Sequence, residues 1–413
     1  MRLAPEERTI LDRIAAEGGA IVQRAVDWCA INSGSRNFDG LEGQRRALLN
    51  AVSALPAAPI EIPLAPTVEI GPDGRERELP HPASIAVVVR PEAKVQVVLT
   101  GHYDTVYPLE SRFQSVVTRP DGALNGPGIA DMKGGISVML AALEAFETHP
   151  AAKKLGYRVL LSPDEEIGSI ASAPVLAEFG ALGHVGMTYE PAMDGGLASE
   201  RKGSGNFHVR VRGRAAHAGR DFAAGRNAIA AAARIAVALD GLNGKREGVT
   251  INVARIDGGA PLNMVPDNAV LRFNARFPDA AACRWMEFAI AEALKVERRD
   301  GIEVDLHGGV TRPAKPFTAA QQQLFGEVKK AGALLGQEIG WKPSGGVCEG
   351  NNLFAAGLPN VDTLGVRGGD IHSENEFAWP QSFAERAQLS ALILMKLATG
   401  EIDGPALRKA MEA

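Results

Sequence analysis

The sequence predicts an α/β protein: a central mixed sheet flanked by helices, with a smaller βαββαβ unit inserted into it. Three observations predict this. The runs "ASIAVVVR", "VQVVLTGH", "YRVLLS" and "HVGMTYE" are almost continuously apolar and are interrupted by helical spacing, as strands of a largely parallel sheet covered on both faces must be. From about Phe207 the pattern changes to alternation, in the order strand, helix, two strands, helix, strand. The helix-rich remainder, including "SFAERAQLSALILMKLA", then resumes the first pattern, so the second unit is an insertion.

In order along the chain, Ile10, Leu11, Ile14, Ile21, Val22 and Ala25 fall on one helical face before the turn-rich "NSGSRNFDG". Strands follow at "ASIAVVVR" and "VQVVLTGH". The run "GGISVMLAALEAF" reads as a helix because Ile136, Met139, Leu140 and Leu143 recur at i, i+3, i+4, i+7. In the alternating part, "NFHVRVRG", "GVTINVARIDGG", "NAVLRFNARF" and "IEVDLHGG" are strands, and "NAIAAAARIAVAL" and "WMEFAIAEAL" are helices. Residues 1–204 and 312–413 are expected to form one domain and 205–311 the inserted one.

The 413 residues are 46% apolar and 23% charged, which excludes a disordered chain, and the net charge of −5 with no basic block excludes a nucleic-acid groove. No apolar stretch reaches membrane-spanning length, and the N-terminus lacks the pattern of a secretory leader. Cys29, Cys283 and Cys348 form no CxxC and leave one unpaired, so reduced thiols in a cytoplasm are expected.

The chemistry lies where strands end. "GHYDTVYP" places His102 and Asp104 directly after an apolar strand. Asp131 stands in "GPGIADMKGG", Glu165 and Glu166 in "LSPDEEIGS", Glu190 in "TYEPAMDGG" and His372 in "GGDIHSEN". In a parallel sheet these ends open into one crevice. Carboxylates so crowded resist ionisation unless a cation is bound, and imidazole with carboxylate suits zinc first, then cobalt or manganese. Three carboxylates against two divalent ions leave a site near plus one, by about the charge needed to favour an anionic substrate. Asp104 is close enough to fix the His102 tautomer. Of Glu165 and Glu166, which point apart in extended chain, one can bind metal while the other takes a proton from water.

With the ordered set "GHYDTV", "GPGIADMKGG", "DEEIGS", "YEP", "GRAAHAG", "NMVPDNA" and "GGDIHSENE", the chain resembles the M20 family of metallopeptidases from about residue 80 to 400. The resemblance implies a zinc-peptidase-like catalytic domain, a βαββαβ dimerisation domain and a homodimer. It implies two zinc ions (cobalt or manganese as alternatives): one held by His102, Asp131 and Glu190, the other by Asp131, Glu166 and His372, with Asp131 bridging. It makes Glu165 the general base and His217 an oxyanion-stabilising residue reaching the partner subunit's site. A cis peptide between Asp131 and Met132 is expected. Asn263, Arg276, Arg312 and Lys202 fall at or near substrate-contacting positions, as does the backbone at Gly346. One loop departs from the family pattern: "GGVCEGNN" has Val347, Cys348 and Glu349 where relatives have a hydroxyl, a serine and an aspartate.

The expected activity is cleavage of an amide next to a free carboxylate. It would release a C-terminal amino acid from an N-acyl amino acid or short peptide, in the manner of a glutamate carboxypeptidase. The alternatives are a biosynthetic deacylase of N-acetyl or N-succinyl amino acids, or an inactive metal-binding relative; the second would lack ligands or base, and none is lacking here.

Overall fold

Strand Val95–His102 is buried from Gln96 onward and, with Leu155–Ser162, forms the centre of a six-stranded sheet. A computed structural model describes residues 1–193, 195–298 and 300–412. The sheet order is Ile60–Ile62, Ser84–Val89, Leu155–Ser162, Val95–His102, Val185–Thr188, Asn360–Val361. The first two pairings are antiparallel and the last three parallel, so the sheet is mixed. Strands 95–102, 155–162 and 185–188 therefore end at the same edge, and their following loops meet there.

Helix Lys133–Phe146 is buried on every face except at Glu144, as expected of a helix apolar all round. It is packed by Gln381–Thr399 and by the N-terminal pair Pro5–Ala16 and Gly18–Cys29, which part at Glu17. Gly135 permits the close packing that matters for the site: a Cβ there would stand 2.0 Å from the Tyr189 carbonyl oxygen. That contact draws the Asp131 loop against the strand leading to Glu190.

The inserted unit is a four-stranded antiparallel sheet in the order Thr250–Gly258, Asn268–Phe277, Gly203–Arg212, Glu303–Arg312. Odd-numbered residues such as Phe207, Val209, Leu271 and Phe273 face helices Ala228–Asp240 and Ala280–Lys295 and form a separate core, where Phe207 and Phe273 stack at 4.9 Å. The opposite face is polar and is met by the hairpin Thr67–Ile70 and Glu76–Leu79. Arg272 donates to the Ile70 carbonyl at 2.8 Å and Arg210 to that of Gly74 at 3.3 Å. The alternating pattern is thus explained by a sheet with one apolar face. All three cysteines are free, and among the described residues no helix is long and apolar enough to cross a membrane.

Candidate active site

His102 is the last residue of its strand and is fully buried. Its Nε2 lies 3.0 Å from Asp131 Oδ1 and 3.9 Å from Glu190 Oε1. His372 Nε2 lies 3.3 Å from the other oxygen of Asp131 and 3.2 Å from Glu166 Oε2. Two three-residue groups, His102–Asp131–Glu190 and Asp131–Glu166–His372, therefore share one carboxylate, with ligand atoms in each group no more than 4.8 Å apart. The peptide between Asp131 and Met132 is cis. His372 and Asp370 have φ of 62° and 53°, a left-handed conformation that non-glycine residues avoid and that the surrounding loop must enforce.

The electrostatics point to missing positive charge. Burial, then the neighbouring Asp131 carboxylate, raises the Glu166 pKa to about 8, and the same causes push Glu190 well above the usual carboxylate range. The Asp131 and Glu166 carboxylates hold the His372 pKa up at about 11. Burial pulls His102 down, but Asp104 and Asp131 outweigh it and leave the imidazole strongly basic. One oxygen each of Glu166 and Glu190 is buried with no hydrogen-bond partner among the described residues. Buried carboxylate oxygens without donors fit a bound cation, and the oxygen and nitrogen set is the one a borderline divalent ion takes.

Asp104 has a wider task than orienting one imidazole. Nδ1 of His102 meets the Asp104 backbone carbonyl at 3.0 Å and its carboxylate at 3.3 Å. The same carboxylate accepts the backbone N–H groups of Glu165 and Glu166, both at 3.1 Å, and the Ser35 hydroxyl at 2.8 Å. Glu165 and Glu166 consequently occupy a turn, not extended chain, yet their side chains diverge. Glu166 goes to His372, and Glu165 accepts Arg312 Nη2 at 2.6 Å.

The cluster forms the floor of a cavity of about 430 Å³. Glu165, Arg276, Arg312 and Gly346 line it, as expected from sequence. Arg276 is tied by Nε to Asn274 at 2.9 Å, but its Nη1 is buried without a partner, a donor awaiting an acceptor. Arg312 is committed to Glu165 and to Asn352 at 3.0 Å, so it holds the Glu165 carboxylate in place. Lys202 is not in the wall: its Nζ donates to the Gly248 carbonyl at 2.9 Å. Its neighbour Arg201 takes the place, gripped through two nitrogens by Asp362, which also accepts from the buried Lys315 at 2.7 Å. His217 and Asn263 lie together on the inserted unit, where Ala218 N–H donates to the Asn263 carbonyl at 2.9 Å, but they are exposed and outside this cavity's lining.

Two buried carboxylates escaped the sequence reading of the site. Glu376 accepts the backbone N–H groups of Gly128, Ala130 and Asp131 and the Tyr107 hydroxyl, fixing the Asp131 loop. Glu349 lies under the site against the Ser162 hydroxyl, with its second oxygen unpartnered. Burial raises both pKa values to about 7. The only signal for Glu376 was its place in "HSENE"; Glu349 gave none beyond its departure from the family loop.

Comparison with known proteins gives the family and the fold. Residues 98–396 match the model of peptidase family M20/M25/M40. Carboxypeptidase G2 of Pseudomonas sp. (strain RS-16) is 28% identical over 320 residues, covering 74% of each chain. Succinyl-diaminopimelate desuccinylase of Halorhodospira halophila (strain DSM 244 / SL1) is 29% identical over 294 residues, 67% of this chain and 76% of that one. Among solved structures, human carnosine dipeptidase 1 superposes with a TM-score of 0.71 at 16% identity, covering 95% and 100% of the two chains. An M20 family metallo-carboxypeptidase from Sulfolobus solfataricus gives 0.70 at 14% identity, covering 92% and 99%.

Proposed function

The chain is a metallohydrolase belonging to peptidase family M20/M25/M40, and from that premise we propose that it cleaves an amide bond next to a free carboxylate, releasing a C-terminal amino acid from an N-acyl amino acid or short peptide. The observation that carries the reading is one cavity with two carboxylate–imidazole groups sharing Asp131 at its floor and an unpartnered Arg276 donor in its wall. His102, Asp131 and Glu190 would hold one divalent ion, zinc by ligand type, and Asp131, Glu166 and His372 a second. When bound, such ions supply Lewis acidity and lower the pKa of water.

The protein's own groups do the rest. Glu165 takes the proton of the attacking water and returns it to the leaving nitrogen, a transfer that needs its carboxylate held in one orientation; Arg312 supplies that hold. Arg276 binds the substrate carboxylate through Nη1, and the Gly346 backbone borders the same wall. His217, with Asn263 beside it, donates to the developing oxyanion from the partner subunit of a homodimer. In this arrangement residues 1–204 and 312–413 carry the cluster and 205–311 carry the donor. A second reading, removal of a succinyl or acetyl group in biosynthesis, is favoured by the likeness to the desuccinylase. The test is amine release from a panel of N-acyl amino acids and dipeptides by the zinc-loaded protein. A panel in which only substrates without the adjacent carboxylate react sinks the proposal.

A further inference from the structure

Beside the catalytic cavity lies a second one of about 590 Å³, and Met193, Gly196 and Lys342 line both. Two arginines enter it from different elements. Arg386, on helix Gln381–Thr399, is only 2% exposed; its Nη2 donates to the Gly195 carbonyl, and its Nη1 is buried with no hydrogen-bond partner among the described residues. Arg367, heading strand Arg367–Gly369, gives Nη2 to Glu385 at 2.8 Å, while its Nε is buried with no hydrogen-bond partner among the described residues. Among the described residues Glu385 is the one carboxylate hydrogen-bonded to either guanidinium group, while Glu338 also lines the cavity. Burial, then the charge of Arg367, pulls the Arg386 pKa down to about 10, with Glu385 opposing only in part. Gly195, Gly336 and Gly340 open part of the wall, and Gln337, Glu338, Ile339 and Trp341 line the rest among the described residues.

We propose that this cavity is an oxyanion site in which Arg367 Nε and Arg386 Nη1 together take one carboxylate or phosphate group. Water would satisfy the two donors but bring no negative charge to the buried Arg386; an oxyanion does both, and planar guanidinium forks suit it better than a point charge would. Two sources share that chemistry: a free anion, or the acidic far end of a substrate whose amide lies over the cluster. The common wall makes the second geometrically open. A link to the chemistry also exists through the backbone, because Arg367 pairs in parallel with Ala192, just beyond Glu190, and its strand leads on to His372.

The test is calorimetric titration of inorganic phosphate into the metal-loaded full chain and its Arg367→Gln, Arg386→Gln and Arg276→Gln variants. Phosphate held at the metals is common to wild type and the Arg367→Gln and Arg386→Gln variants and subtracts, and Arg276→Gln identifies any phosphate taken in the wall of the catalytic cavity. The expected result is a saturable event in wild type and Arg276→Gln, weakened about tenfold or more in each of the other two. Arg386→Lys, which keeps the charge but loses the fork, should fold and bind with intermediate affinity. The source is decided by amine release from two N-acyl amino acids of equal length, one with a carboxylate and one with an amide at the end of the acyl chain. A preference for the acid that Arg386→Gln abolishes assigns the site to the substrate tail; phosphate binding without such a preference assigns it to a free anion. The proposal is overturned if wild type shows no saturable event beyond the metals, or if the event survives both substitutions. Neither result touches the amide-hydrolysis reading, which stands or falls on the neutral-tailed substrate.

Discussion

The strand-end cluster and the His217–Asn263 patch are opposites. In the cluster, His102, Asp131 and Glu190 are at most 8% exposed, their atoms already at ligand distances, because three parallel strands and one tightly packed helix deliver them to one place. The patch lies on a two-stranded ribbon of the inserted unit, with His217 exposed and the neighbouring Leu262 fully bare. A buried, charge-strained cluster is complete in one chain except for its cations. In the proposed dimer, an exposed histidine beside bare apolar surface is a half-site that the partner subunit completes. The contrast teaches that the proposed metal-binding and oxyanion functions are to be broken separately.

The largest effect is expected inside the cluster. Asp131→Ala should lose both ions and all turnover, since this carboxylate belongs to both groups. Glu165→Gln should keep both ions and still lose about a thousandfold or more in kcat, because only the proton acceptor is removed. Elemental analysis beside kinetics separates the two; an Asp131→Ala protein with two tightly held zincs would refute the shared role.

His217→Ala should leave the metal content untouched and lower kcat by about a hundredfold to a thousandfold, the usual loss of one oxyanion donor. The proposed dimer sharpens this. Glu165→Gln and His217→Ala proteins, unfolded and refolded as an equal mixture, pair at random, and half the dimers are mixed. In a mixed dimer the His217→Ala chain keeps its own Glu165 and borrows the intact His217, so about a quarter of wild-type activity should return. A refolded mixture shown to be heterodimeric but as inactive as its parents would confine His217 to its own chain.

A smaller loss belongs to the wall between the two regions. Arg276→Gln, or an amide in place of the substrate's free carboxylate, should cost about tenfold to a hundredfold in kcat/KM, mainly through KM. Because both changes remove the same contact, making them together should cost little more than one alone. Equal hydrolysis of acid and amide by wild type would show that Arg276 faces something else.

How much of this was legible follows from the range over which each feature is specified. The strands announced themselves as local apolar runs, and the candidate ligands were read from their places at strand ends and in glycine-rich loops, their grouping around two ions coming from the family resemblance. The choice between Arg201 and Lys202 could not be read, because neighbouring residues on a strand turn to opposite sides and only pairing with the Lys315 segment decides which faces the cavity. Glu349 and Glu376 were hidden for a related reason: their partners lie 187 and up to 269 residues away. The hairpin that lies against the inserted sheet is another long-range contact with no local sign. The roles of Glu165 and Glu166 were separated by an argument from extended chain, but it is a turn held by Asp104 that parts them.

Glu349 provides the gentlest probe, acting on stability rather than chemistry. Burial raises its pKa from 4.5 to about 7, with the Ser162 hydroxyl only partly opposing. A carboxyl whose folded pKa is raised binds its proton more tightly in the native state; that contribution to stability is full below about pH 4.5 and is lost as pH rises through about 7, on the order of 3 kcal/mol in all. Glutamine copies the neutral acid at every pH. In chelator-treated protein, where no ion offsets the charge, Glu349→Gln should therefore match the wild-type melting temperature at about pH 4.5 and exceed it by several degrees at about pH 8. The gap should open between those values because only wild type is losing the proton term. Thermal melts across that range check it directly: a variant less stable than wild type at the alkaline end would mean that the ionised carboxylate is itself a structural partner, drawn on by Arg312, and would move Glu349 from a passive floor residue into the charge balance of the cluster.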